Sequence, residues 1–114
     1  MELLAKLMIK NRENIFLGPG VKGLLTLIEK EKSVKNAAEK MGLSYSKAWT
    51  IIKNAETGAG ERLVIRMQGG RSGGGADLTD KGKELLSRYI EFEKEANEML
   101  SECFRRHFDG KEEA

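Results

Sequence analysis

The 114-residue sequence predicts a mainly α fold with a small β component. Three observations predict it. Apolar residues recur at helical spacing in several separate stretches, of which Val21, Leu24, Leu25 and Ile28 mark the first. Between Ser33 and Glu56 two short helical patterns are joined through Gly42. Behind them a β-type run, Arg62 to Gln68, leads into a block with five glycines in the seven residues 69–75.

Taken in order, Lys6 to Lys10 and Ile15 to Leu17 are short apolar runs around a polar turn, Asn11 to Asn14, and predict an N-terminal β-hairpin. Gly18-Pro19-Gly20 punctuates the chain, and Pro19 suits the first turn of a helix, where its missing N–H is not needed. That helix is expected to run to about Glu31, with Leu27 widening its apolar face. Ser33 is placed to cap the next helix, which carries Ala37, Ala38 and Met41 on one face. Gly42 can end it in the left-handed conformation. Leu43 is expected to fill the gap between the helices. Ser44 can cap a further helix, over about residues 44–55, whose stripe is Ala48, Ile52 and Ala55. Thr57 to Gly60 then reads as a connection. The small residues Ala37, Ala38 and Ala48 allow two helices to cross closely. This is the layout of a helix-turn-helix, whose second helix enters a DNA major groove.

Arg62 to Gln68 reads as a strand and Ala76 to Leu78 as a brief return strand, with the glycine block as the tip between them. Behind a helix-turn-helix these are the parts of a wing. A tip of glycines with one arginine can approach a sugar-phosphate backbone or carry Arg71 into a minor groove. Thr79 is a cap and Asp80 a favourable first-turn acid for a last helix reaching Phe108. Along it Leu85, Tyr89, Phe92, Ala96, Met99 and Cys103 repeat at alternating spacings of four and three, a heptad seam. Leu86, Ile90, Leu100 and Phe104 form a second stripe. So small a domain cannot cover both, so dimerisation through this helix is expected. The prediction is a winged helix-turn-helix over residues 1–79, a long C-terminal dimerisation helix over 80–108 and a flexible tail over 109–114.

Composition narrows the function. Hydrophobic residues make up 39% and charged residues 33%, with a mean hydropathy of −0.48, so the chain can fold and is soluble. It has no apolar run long enough for a membrane span and no signal-peptide core at its start. One cysteine excludes an internal disulfide and fits the cytoplasm. The formal net charge of +2 hides an asymmetry: residues 32–53 carry a net +4, residues 84–114 a net −4. Arg62, Arg66 and Arg71 extend the basic middle. A basic middle and an acidic tail suit a polyanion on one face and a different partner on another.

Other chemistry finds little support. A nucleotide-binding P-loop needs Lys-Ser or Lys-Thr after its glycines, and Gly75 is followed by Ala-Asp-Leu. Cys103 and His107, four apart, would bind zinc only if a second copy supplied the other ligands, so no metal site is assigned. There is no activated-nucleophile arrangement, and the chain is read as a non-enzyme without cofactors. On the capped helix, Tyr45 is placed for a base or phosphate and Thr50 for either. Lys47 and Lys53 are phosphate contacts or solvated charges. Trp49 packs or meets a thymine methyl. Arg66 either neutralises a phosphate or pairs with Asp77 across the hairpin.

Three segments together resemble a known family: Ala37 to Trp49, Gly69 to Ala76, and Leu78 to Leu86. The chain looks like the N-terminal winged-helix domain of the molybdate-responsive (ModE) transcription regulators, itself similar to the DNA-binding part of LysR-type regulators. The glycine block is the segment most specific to the molybdate-regulator branch. The resemblance implies a homodimer on double-stranded DNA. It places Ser44, Tyr45, Ser46, Lys47 and Thr50 in the major groove, and Arg66, Gly69, Gly70 and Arg71 near phosphates or the minor groove. It implies dimer contacts from the N-terminal strand region and residues 80–108. The family's regulators carry C-terminal oxyanion-binding domains that have no counterpart before Ala114, so molybdate binding is not expected. The alternative expectation is an interaction or architectural module that reads DNA weakly and needs a separate sensor protein.

Overall fold

A computed structural model describes residues 1–68 and 75–108. Its elements run β1 (Ile9–Asn11), β2 (Asn14–Leu17), α1 (Pro19–Glu31), α2 (Val34–Lys40), α3 (Tyr45–Ala59), β3 (Val64–Met67), β4 (Gly75–Leu78) and α4 (Asp80–Phe108). The architecture is a winged helix-turn-helix with a long last helix, as the periodicity predicts. The tip residues 69–74 and the tail 109–114 lie outside the described residues.

Local chemistry sets most of the boundaries. Pro19 sits at the start of α1. The Ser33 hydroxyl accepts from the Asn36 amide at 3.0 Å and caps α2, and the Ser44 hydroxyl accepts from the Lys47 amide at 3.1 Å and caps α3. Gly42 turns the chain between them at φ +70°, where an L side chain is strained. The Thr79 hydroxyl caps α4 by accepting from Gly82 N at 2.9 Å.

The core lies where α1, α2 and α3 cross. Leu24, Leu25 and Ile28 of α1, Ala37 and Ala38 of α2, and Ala48, Ile52 and Ala55 of α3 are all buried. Leu43 and Met41 pack against its edge, half-buried. Alanines at the crossings let the helices approach closely, and the larger side chains of α1 fill the remaining space.

Three boundaries differ from the sequence reading. The first strand begins at Ile9, not Lys6. The strand of the wing covers Val64–Met67 only. The third difference is structural: α3 continues through Gly58 to Ala59 and ends at Gly60, at φ +75°, where a connection was expected. The cause is the N-terminal hairpin. A Cβ at Gly58 would lie 2.8 Å from Phe16 Cβ and 3.3 Å from the Asn14 carbonyl oxygen. The last turn of α3 is therefore pressed flush against β2, and Asn11 Nδ2 donates to the Gly58 carbonyl at 2.8 Å. Packing overrides the poor helix propensity of glycine here.

The helix α4 divides in two. Gly82, Leu85, Leu86 and Tyr89 are buried in the protomer. Beyond them the helix projects, giving principal extents of 63 × 28 × 21 Å and a radius of gyration of 17.2 Å. A compact domain of this length would have about 13 Å. No helix among the described residues is long and apolar enough to cross a membrane.

Candidate nucleic-acid interface

The solvent face of α3 opens with Tyr45, Ser46 and Lys47 and continues through Thr50, Lys53 and Asn54, all exposed. Helical spacing puts Ser46, Thr50 and Lys53 on adjacent turns of that face. The opposite stripe, Ala48, Ile52 and Ala55, is sunk in the core, so the helix is fixed in rotation. What remains outside is a short polar row at the helix N-terminus, the end that meets base edges in a helix-turn-helix.

The hydroxyls on that row are partly committed. Ser44 accepts from the Lys47 amide and lies 3.4 Å from the Ser46 hydroxyl. Thr50 donates its hydroxyl proton to the Ser46 carbonyl at 3.0 Å, which leaves an oxygen acceptor and a methyl group facing outward. Thr50 is thus suited to a base amino group or a thymine methyl, and Ser44 is first of all a cap. Lys47 and Lys53 make no ion pair among the described residues.

The wing arises beside this helix and is pinned at its root. The Glu56 carboxylate of α3 accepts from the Leu63 and Val64 amides at 2.9 and 3.1 Å. Thr79 donates its hydroxyl to the Arg62 carbonyl at 2.8 Å and its amide to the Leu63 carbonyl at 2.9 Å. Arg62, counted with the basic patch in the sequence, is engaged at the wing root: it donates to the Val64 carbonyl at 3.2 Å and lies 3.8 Å from Glu56. Glu56 is the residue that sequence reasoning missed. Its only signal was an acid at the end of the α3 pattern, indistinguishable from a surface charge.

The strands β3 and β4 pair antiparallel, with Ile65 opposite Asp77 and Arg66 opposite Ala76. Successive side chains on a strand face opposite sides, so Arg66 and Asp77 point away from each other. Asp77 pairs instead with Lys32 Nζ at 2.8 Å. Of the two expectations for Arg66, the Asp77 pair is therefore overturned. Arg66 turns to α3, where its guanidinium carbon sits 4.4 Å from the centroid of the Trp49 ring and Nη1 donates to the Tyr45 hydroxyl at 3.4 Å. Tyr45 meets Trp49 edge-on, centroids 6.4 Å apart at 77°. The Trp49 indole N–H is buried and makes no hydrogen bond, although it lies near the Tyr45 phenol. Together the indole N–H and then the Arg66 guanidinium hold the Tyr45 phenol below its ordinary pKa.

The structure thus brings Tyr45, Ser46, Lys47, Thr50 and Arg66 to one side of the molecule around the start of α3. Gly69, Gly70 and Arg71 lie outside the described residues. Of the seam residues, Leu85 and Tyr89 are buried within the protomer. Phe92, Met99 and Cys103 are exposed and Ala96 is half-buried.

Residues 24–83 match the model of the bacterial regulatory helix-turn-helix protein, lysR family. That span takes in part of α1, all of α2 and α3, both wing strands and the start of α4. The chain is 41% identical over 83 residues to the molybdenum transport protein ModE of Azotobacter vinelandii, covering 73% of this chain and 31% of that protein. It is 37% identical over 83 residues to the transcriptional regulator ModE of Yersinia pestis, covering 73% and 32%. It is 32% identical over 99 residues to the DNA-binding transcriptional dual regulator ModE of Escherichia coli K12, covering 84% and 38%. The chain spans about a third of the length of these relatives.

Proposed function

The chain belongs to the lysR family of bacterial regulatory helix-turn-helix proteins, and from that premise we propose that it is a transcription regulator that binds double-stranded DNA in a sequence-specific way as a homodimer in the cytoplasm. The observation that carries the reading is the exposed row Tyr45, Ser46, Lys47 and Thr50 on a helix whose rotation the core fixes, with an arginine-bearing wing strand docked at its start. In this reading α3 lies in the major groove, with Ser46 and Thr50 at base edges, Tyr45 at a base or phosphate and Lys47 at a phosphate. Arg66 and the wing residues Gly69, Gly70 and Arg71 lie along the backbone or the minor groove. The projecting half of α4 carries Phe92, Ala96, Met99 and Cys103 into the partner. A two-fold dimer then reads half-sites roughly 34–36 Å apart.

The test is selection of the purified protein against random duplex DNA at about 0.15 M salt. The expected result is enrichment of a two-fold symmetric motif, with Lys47→Ala weakening binding to it while the protein stays folded. Recovery of DNA with no shared motif would replace this reading by that of an architectural module that depends on a partner protein.

A further inference from the structure

We infer that Trp49 is a positioning residue whose ring holds Arg66 and Tyr45 together as one two-pronged clamp for a single DNA phosphate, at the junction of recognition helix and wing. The inference rests on the DNA-binding reading above and deepens it.

Three features lead to it. First, Arg66 is an exposed cation that no carboxylate neutralises among the described residues, whereas Arg62 has Glu56 and Lys32 has Asp77. Its partners are an aromatic face and a phenol. Second, a cation–π contact satisfies the charge of a guanidinium without using up its N–H donors. One of them goes to Tyr45, and the rest are held ready in the fork that suits an oxyanion. Held over Trp49 and bonded to Tyr45, the guanidinium stays at the junction of helix and wing, where a backbone phosphate is its match. Third, the Tyr45 oxygen accepts from Arg66, so its own proton points elsewhere. The guanidinium polarises that O–H and makes it a better donor to an anion. Tyr45 is 47% exposed and can deliver it. Trp49 itself is half-buried and anchored on α3, so it transmits the position of the helix to the strand.

The test is a salt series of DNA affinities, by fluorescence anisotropy on the selected operator, for Arg66→Gln, Trp49→Leu, Trp49→Phe, Tyr45→Phe and the Trp49→Leu/Arg66→Gln double variant. Loss of one phosphate contact should flatten the plot of log affinity against log salt by about 0.9. Arg66→Gln should show that flattening with about a tenfold loss of affinity. Trp49→Leu, with Arg66 still present, should show most of the same flattening with about a fivefold loss. The double variant should bind as Arg66→Gln alone, and Trp49→Phe should recover most of the slope. Trp49→Leu that weakens binding at an unchanged slope, or losses that multiply in the double variant, would overturn the inference while leaving DNA binding in place. Should Trp49→Leu fail to fold, the Tyr45→Phe and Arg66→Gln cycle decides: losses that multiply overturn the shared clamp. A chain that enriches no duplex at all would remove both readings.

Discussion

The two halves of α4 obey one heptad pattern and live in different surroundings. From Asp80 to Tyr89 the apolar positions are covered by the protomer, and Tyr89 is 1% exposed. From Ile90 to Phe108 the same pattern continues, with Phe92 at 47% and Met99 at 67% exposed. The inner half is held by contacts to three parts of the chain. A Cβ at Gly82 would run into the Leu63 carbonyl oxygen, so α4 crosses the wing root in direct backbone contact. Tyr89 donates its hydroxyl to the Leu7 carbonyl at 2.7 Å, tying down the N-terminal segment. Lys22 of α1 reaches Glu93 at 2.6 Å just past the buried turns. Beyond Glu93 the contacts run along the helix itself, such as Phe104 against Phe108 and Glu102 with Arg105. Periodicity reports which residues share a face; it does not report what covers that face.

The sharpest way to break this comparison is to exchange the roles of its two halves. Tyr89→Ala should cost about 3–5 kcal/mol of stability, since it empties a buried aromatic site and orphans the Leu7 carbonyl. Urea denaturation would show it, and a cost below about 1 kcal/mol would mean that the inner half is not part of the core. The pair Phe92→Glu with Met99→Glu should leave the helical signal intact but weaken self-association at least about tenfold, because charged side chains would enter the seam. Sedimentation at several concentrations distinguishes the cases: a variant as dimeric as the parent would place the interface elsewhere. A truncation that tests the same point should cut after Glu91. Cutting after Ser87 would remove Tyr89 and confuse folding with assembly.

The parts legible in the sequence were those decided within a few residues. Ser33, Ser44 and Thr79 cap the helices they were expected to cap, and Gly42 makes the turn, because capping and left-handed turns depend on near neighbours alone. The core stripes of α1 and α3 followed from spacing. What could not be read depends on residues far away in sequence. Gly58 looks like a helix breaker until Phe16 and Asn14 press against it. The partner of Arg66 turns on strand register: a shift by one residue sends a side chain to the other face, and nothing local states the register. Leu85 and Tyr89 carry the same seam signature as Met99, and only the three-dimensional placement of Leu7, Leu63 and α1 separates them.

The smallest expected effect concerns the other side of the wing root. There β4 is moored mainly to the end of α1, by Lys32 with Asp77 at 2.8 Å and by the Ala76 amide donating to the Lys32 carbonyl at 3.0 Å, with Lys83 of α4 adding a weaker charge interaction. Lys32 stands in the left-handed region, at φ 56°, which presents that carbonyl to the strand. The Asp77 carboxyl is held below the ordinary carboxylate range, first by Lys32, with help from the Leu78 amide and against a desolvation cost. A depressed folded pKa stabilises the native state above the ordinary carboxylate range and ceases to do so as pH falls through the folded value. Asp77→Asn should therefore cost less than about 1 kcal/mol at neutral pH, because Lys32 is largely exposed and water screens the pair. The difference from the parent should close as acid protonates Asp77. Denaturation midpoints of the two proteins across neutral and acidic pH measure this directly. A gap that persisted in acid would show that the charge pair with Lys32 is not what Asp77 contributes. A gap that closes assigns the mooring to charge, and then the α1 side of the wing root loosens in acid or high salt while the α4 side, built on packing and backbone contact, does not.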